Sequence, residues 1–151
     1  MKVVLATRNP GKLREVRAIL AGLPLELVAL PDAVALPPEG DAYEANAVDK
    51  AVAAARATGC LAIADDSGLE VDGLDGAPGV RSARYAGEHA TDADNVSKLR
   101  EALASLPEGD PGRRARFRCA VVLVTDDVEE LVAEGAVEGR VVDAPGGDGG
   151  F

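Results

Sequence analysis

Histidine occurs once in this chain of 151 residues, at His89; tryptophan is absent and cysteine appears only at Cys60 and Cys119. Each scarcity closes off a class of chemistry. A single histidine excludes a multi-histidine metal centre. Neither cysteine has a histidine near it in sequence, so a serine or cysteine nucleophile served by a histidine base is a poor fit. Both cysteines lie in or beside apolar strand-like runs and read as small buried thiols. The aromatics are Tyr43, Tyr85, Phe117 and Phe151, too few for a base-stacking platform. No apolar run approaches the roughly 20 residues that span a bilayer, and the apolar part of MKVVLAT is too short for a secretory signal. A cytoplasmic protein with no membrane partner is expected. Positive charge is also short: 16 Lys and Arg face 26 Asp and Glu, for a formal net charge of −10. That balance opposes binding to a nucleic-acid backbone, so no nucleic-acid partner is expected. It leaves room for one anionic small molecule, because a divalent cation and a few placed Lys or Arg reverse the field locally.

What is present is ordinary for a soluble domain: 47% hydrophobic and 28% charged residues, in a length that supports one domain with a real core. Residues 2–6, KVVLA, read as a buried strand, and 25–30, LELVAL, as a second. Between them Leu13, Val16, Ile19 and Leu20 recur at helical spacing to about Ala21, with Asn9-Pro10 a good helix start. Residues 31–41 carry Pro31, Pro37, Pro38 and Gly40 and read as a loop. An alanine-rich helix is expected from Ala42 to Thr58, stopped by Gly59. The strand CLAIA then ends at Asp65-Asp66. EVDGLDGAPGVRS reads as a loop or a turn beside a short hairpin. Thr91 with Asp94 resembles a capping box, after which Val96, Leu99, Leu103 and Leu106 line one helical face. Residues 115–125 form a long strand, Asp126-Asp127 a turn, and ELVAEGAVEGRVV a further strand. Alternating strands and helices followed by a β-meander predict an α/β protein with a mixed sheet.

Two segments carry candidate chemistry. Thr7-Arg8-Asn9-Pro10-Gly11-Lys12 opens a helix after a strand. There unpaired backbone N–H groups and the helix dipole favour an anion, and Lys12 adds a full charge. The glycine spacing is not that of a Walker A loop, and an ordinary helix start with a surface lysine explains the same residues. Asp65-Asp66-Ser67-Gly68 sits at an expected strand end, where ligands collect in α/β sheets. Two carboxylates there suit Mg²⁺, a hard cation that takes oxygen ligands, or the activation of a water; a solvated turn is the competing explanation. Lys50, on the alanine-rich helix, offers another positive charge. The contiguous pair does not match a haloacid-dehalogenase phosphatase, which wants an aspartate two residues before the second. Together the segments suit metal-assisted attack on a phosphate.

TRNPGK at 7–12, ADDSGLEVDGLDGAPGVRSARYAG at 64–87, TDADNVSKL at 91–99, ARFRC at 115–119 and PGGDGGF at 145–151 occur in this order. In these blocks the chain resembles the non-canonical purine nucleoside triphosphate pyrophosphatases, also called the inosine/xanthosine triphosphate pyrophosphatase or HAM1-like family. The resemblance runs over residues 1–151 and implies a single domain. The implied fold is a long mixed β-sheet flanked by helices, in two lobes with a central cleft. The implied activity is hydrolysis of ITP, dITP and XTP to the monophosphate and pyrophosphate, with Mg²⁺, by a homodimer. Residues 7–12 would hold the triphosphate, with Lys12 and Lys50 pairing phosphate oxygens. Asp66 would accept the proton from the attacking water and bind Mg²⁺, with Asp65 supporting the metal, Ser67 touching the substrate and Phe151 stacking on the purine.

Two departures from the family pattern stand out. The family's aromatic-x-Glu-Asn-Ala, whose glutamate the resemblance assigns to the metal, reads Tyr43-Glu44-Ala45-Asn46-Ala47 here. Glu44 lies one residue early, about 100° away around a helix, so it substitutes only where the helix start is irregular. The family also continues past Gly-Gly-Phe into Gly-Tyr-Asp-Pro, a further strand, a lysine and a Ser-His-Arg motif. The C-terminal part of the family fold is therefore expected to be missing from residues 1–151. A catalytically weak or inactive nucleotide-binding protein of the same fold is the alternative.

Overall fold

The computed structural model describes residues 1–125, 130–144 and 146. Its strands are β1 (Lys2–Leu5), β2 (Glu26–Ala29), β3 (Leu61–Val71), β4 (Pro78–Gly79), β5 (Arg114–Val124) and β6 (Glu130–Arg140), and its helices α1 (Pro10–Ile19), α2 (Tyr43–Thr58) and α3 (Asp92–Ala102). The strands form one mixed sheet in the order β2-β1-β3-β5-β6, with β4 paired to β3. β1 runs parallel to β2 (Val3 opposite Leu27) and to β3 (Val4 opposite Ala62), while β4 is antiparallel to β3 (Leu69 opposite Gly79). Two compact units are distinguished, Met1–Asp66 with Ala120–Glu134, and Ser67–Cys119 with Gly135–Phe151.

In the first unit, parallel strands require covered faces, and α1 and α2 supply them. Asn9 caps α1, its side chain accepting from Gly11 N at 2.8 Å and Lys12 N at 3.4 Å. Leu13 and Val16 of α1, with Leu20 just after it, pack on Val3, Leu5 and Leu27. Ile19, expected on that face, is instead 77% exposed, because the helix presents a narrower stripe. α2 buries Ala47, Ala51, Ala54 and Ala55 against Ala62 and Ala64 of β3. Alanine on both sides lets helix and sheet approach closely. The helix stops at Gly59, whose φ of 64° suits a residue without a Cβ.

The second unit is centred on Leu69, Val71, Leu99, Leu103 and Ala115. Buried Arg113 donates to Leu106 O and Leu103 O and pairs with Asp143 at 2.6 Å. Asn95, fully buried, accepts from Ala86 N and donates to Ala83 O, fastening the 83–86 segment to α3. The hairpin expected after the acidic pair is present, but β3 runs on to Val71 before it turns. Asp126-Asp127, read as a turn, and Phe151 lie outside the described residues. Among the described residues, no helix is long and apolar enough to cross a membrane.

The capping box is also present. Thr91 Oγ1 accepts from Asp94 N at 3.2 Å, and Asp94 Oδ2 accepts from Thr91 N at 2.8 Å and from the Thr91 hydroxyl at 2.6 Å. The hydroxyl first, then the backbone N–H, holds the Asp94 carboxyl below the usual carboxylate range. A lowered folded-state pKa stabilises the fold above the unfolded-state value, and that stability is lost as pH falls through the folded-state value. Thr91→Ala is therefore expected to lower the urea midpoint at neutral pH. The gap to wild type should narrow on acidification through the carboxylate range. It should not close, because acceptance by Thr91 Oγ1 from Asp94 N does not titrate; urea titrations at stepped pH check this.

Candidate active site

The apolar run Leu61–Ala64 leads into Asp65 and Asp66 without ending the strand, and β3 continues through both. The expected strand end after Ala64, and with it the turn, is thereby corrected. The parallel pairing of Leu61–Ile63 with β1 and the Leu69–Glu70 pairing with β4 hold the segment extended on either side of the acids. Side chains alternate across a strand, and burial alternates with them: Ala62, Ala64 and Asp66 are buried, while Leu61, Ile63 and Asp65 are half-buried. The adjacent carboxylates therefore point to opposite faces of the sheet, where each meets a lysine from the helix covering that face.

On the α1 face, Lys12 Nζ donates to Asp65 Oδ2 at 2.5 Å. Asp65 Oδ1 is buried and has no hydrogen-bond partner among the described residues. On the α2 face, Asp66 is only 5% exposed. Its Oδ1 accepts from Lys50 Nζ at 3.2 Å and its Oδ2 from Asn46 Nδ2 at 2.8 Å. A buried carboxylate needs such partners, since charge without them is costly in the interior. Lys50 Nζ also donates to Glu39 Oε1 at 3.4 Å, so one ammonium lies between two carboxylates.

The other expected site residues divide in two. Thr7 Oγ1 accepts from Asn9 N at 3.1 Å, so Thr7 and Asn9 build the start of α1. A Cβ at Gly11 would sit 3.0 Å from Asn9 Oδ1, a tight contact at the cap. Pro10 opens the helix and Lys12 reaches Asp65 from it. Arg8 turns elsewhere: its guanidinium donates to the carbonyls of Leu30, Pro31, Asp32 and Val34, at 2.6 to 3.2 Å, and fastens the 30–34 segment. Ser67 follows Asp66 in β3 as the first residue of the second unit. Glu44 is exposed in the first turn of α2, about 200° around the axis from Asn46, and is not brought to the cluster.

Two members of the cluster were not singled out from sequence: Glu39 and Asn46. A signal for Asn46 exists, a lone amide four residues before Lys50 on a helix face otherwise made of alanine. Glu39 gives none, as its place depends on how the proline-containing loop folds back. Among the described residues, no three His, Cys, Asp or Glu side chains gather as a ready metal cage.

The mixed six-stranded sheet with its three helices is the fold of the HAM1 proteins. The HAM1 protein of Coxiella burnetii superposes with a TM-score of 0.86 at 38% identity, covering 100% of this chain and 78% of that one. A structure from Mycobacterium abscessus, titled nucleoside-triphosphatase and dITP/XTP pyrophosphatase, gives 0.80 at 42% identity, covering 100% and 80%. The profile of the Ham1 family matches residues 3–151, and the chain belongs to that family. Its relatives include the dITP/XTP pyrophosphatase of Geobacter sulfurreducens, 48% identical over 99% of this chain and 76% of that protein. The protein of the same name from Streptomyces coelicolor is 47% identical over the same shares.

Removing Lys50 strands a buried carboxylate. Lys50→Met is expected to destabilise the fold by about 3 kcal/mol, and Asp66→Asn in the same chain should restore part of that loss. Urea unfolding of both single variants and the double variant measures it; an additive loss would contradict the pairing.

Proposed function

We propose that the chain hydrolyses non-canonical purine nucleoside triphosphates, dITP, ITP and XTP, to the monophosphate and pyrophosphate in a Mg²⁺-dependent reaction. The printed activity of its relatives, dITP/XTP pyrophosphatase, supports the substrate class. The observation that carries the chemistry is Lys50 Nζ lying between Asp66 and Glu39, 3.2 and 3.4 Å from their oxygens. Two carboxylates that converge on one cation are donors of the kind Mg²⁺ takes. Asp66 and Glu39 would hold the metal, with Glu39 in the part that the family pattern gives to the helix glutamate, while Asp65, on the opposite face of the sheet, would hold Lys12 and not the metal. When bound, the cation would neutralise charge on the phosphates and on the departing pyrophosphate.

The remaining steps fall to the chain's own groups. The start of α1, Thr7 to Lys12, faces the triphosphate with the positive end of the helix dipole and the Lys12 ammonium. Lys12 and Lys50 are both held on carboxylates in the free protein, and phosphate oxygens would draw them over. Arg8 keeps the 30–34 segment in place beside this turn. The Asp66 carboxylate accepts a proton as water attacks the α-phosphorus, and the bond to the β-phosphate bridging oxygen breaks. The resemblance gives Ser67 a contact with the substrate and gives Phe151, outside the described residues, the stack on the purine.

Incubation with dITP, XTP and ATP plus Mg²⁺, with products resolved by ion exchange, tests the reading. Monophosphate and pyrophosphate are expected from dITP and XTP, with ATP much slower. Asp66→Asn should lower kcat by roughly 10²–10⁴-fold. Diphosphate as product would sink the proposed bond of cleavage, and nucleotide binding without turnover would favour a binding protein of the same fold.

A homodimer is the proposed assembly. The resemblance supports it. Light scattering behind size exclusion should give twice the chain mass; a single-chain mass at micromolar concentration rejects it.

A further inference from the structure

We infer that Asn46 is a positioning residue that sets the orientation of the Asp66 carboxylate and ties the Glu39–Gly40 loop to it. The inference rests on the reading of Asp66 as the proton acceptor. Asn46 is 3% exposed, and its amide is used on both ends. Nδ2 donates to Asp66 Oδ2 at 2.8 Å and to Gly40 O at 3.3 Å, while Oδ1 accepts from Gly40 N at 2.6 Å. The reversed amide would set an oxygen against a carboxylate oxygen and an N–H against the Gly40 N–H, so only one orientation satisfies all three contacts.

Two consequences follow for the site. The two oxygens of Asp66 become unlike: Oδ2 is held by a neutral amide N–H, while Oδ1 faces the Lys50 ammonium. When Lys50 moves onto a phosphate, Oδ1 is the oxygen released into the site, and Asn46 keeps the carboxylate from turning. The two-pronged grip on Gly40 also fixes the residue after Glu39, whose carboxylate reaches Lys50 at 3.4 Å. One side chain thus sets the place of both acids that flank the lysine. Aspartate would bring a like charge and no N–H, serine is too short to span both partners, and glutamine carries one methylene too many.

A purely structural asparagine would also stabilise the loop, so the test separates the two roles. With dITP and saturating Mg²⁺, Asn46→Ala is expected to lower kcat at least tenfold with KM within twofold of wild type. Asn46→Ala combined with Asp66→Asn should be no slower than Asp66→Asn alone, since the effect passes through that carboxylate. An unchanged kcat, a loss confined to KM, or losses that multiply in the double variant overturn the inference. Should Asn46→Ala not fold, Asn46→Asp keeps an acceptor for the Gly40 N–H, donates nothing to Asp66, and carries the same expectation. A second readout needs no turnover: the Asn46 side-chain amide protons, assigned by their loss from the ¹⁵N spectrum of the variant. Asp66→Ala should move the carboxylate-bound proton upfield, and an unmoved signal overturns the inference. If wild type turns over neither dITP nor XTP, the pyrophosphatase reading fails, while the amide signal still decides whether Asn46 holds Asp66.

Discussion

A carboxylate in the middle of a buried strand is tolerable only when its charge is answered within the interior, and Asp66 is such a group. Its answer comes entirely from one face of one helix, Lys50 and Asn46, spaced four residues apart so that both side chains reach the same strand residue. Much of the first unit follows from that requirement. α2 must lie close and in one register on β3, which its alanine face permits. The loop before α2 must return to the cluster, which Asn46 enforces through Gly40 and Arg8 reinforces from the other end through the 30–34 carbonyls.

The same alternation that buries Asp66 sends Asp65 to the opposite face, to Lys12 of α1. Adjacent acids in a turn would share one environment and repel. In a strand they are separated by the sheet itself, and each acquires its own cation. The lysines in turn are held ready by the acids and are not left free in solvent. Under the proposed function an incoming triphosphate would meet cations already placed, and exchanging a carboxylate for a phosphate oxygen would cost less than ordering two long side chains from solution.

The helices, their ends and the mixed character of the sheet were legible because their signals are local. Asn9-Pro10 opens α1, Gly59 closes α2 and Thr91 with Asp94 caps α3, each through bonds within a few residues of chain. Lys12, Lys50, Asp65 and Asp66 were legible as residue types suited to phosphate and metal chemistry. Glu39 was not, because its position is set by a loop with no periodicity, and Arg8 turned from the expected ligand toward carbonyls 22 to 26 residues away. The strand through the acids was missed for a related reason. An apolar run meeting two charges looks finished, and only the pairing with β1 before it and β4 after it holds the chain extended.

By itself the sequence determined the family and the secondary structure over most of the chain, since motif, cap and periodicity are properties of neighbouring residues. The tertiary structure decided which acid meets which lysine, that Glu39 rather than Glu44 joins the cluster, and that Asn46 holds it together. Those outcomes depend on which face of β3 each helix covers, and no spacing along the chain encodes a face until the sheet exists.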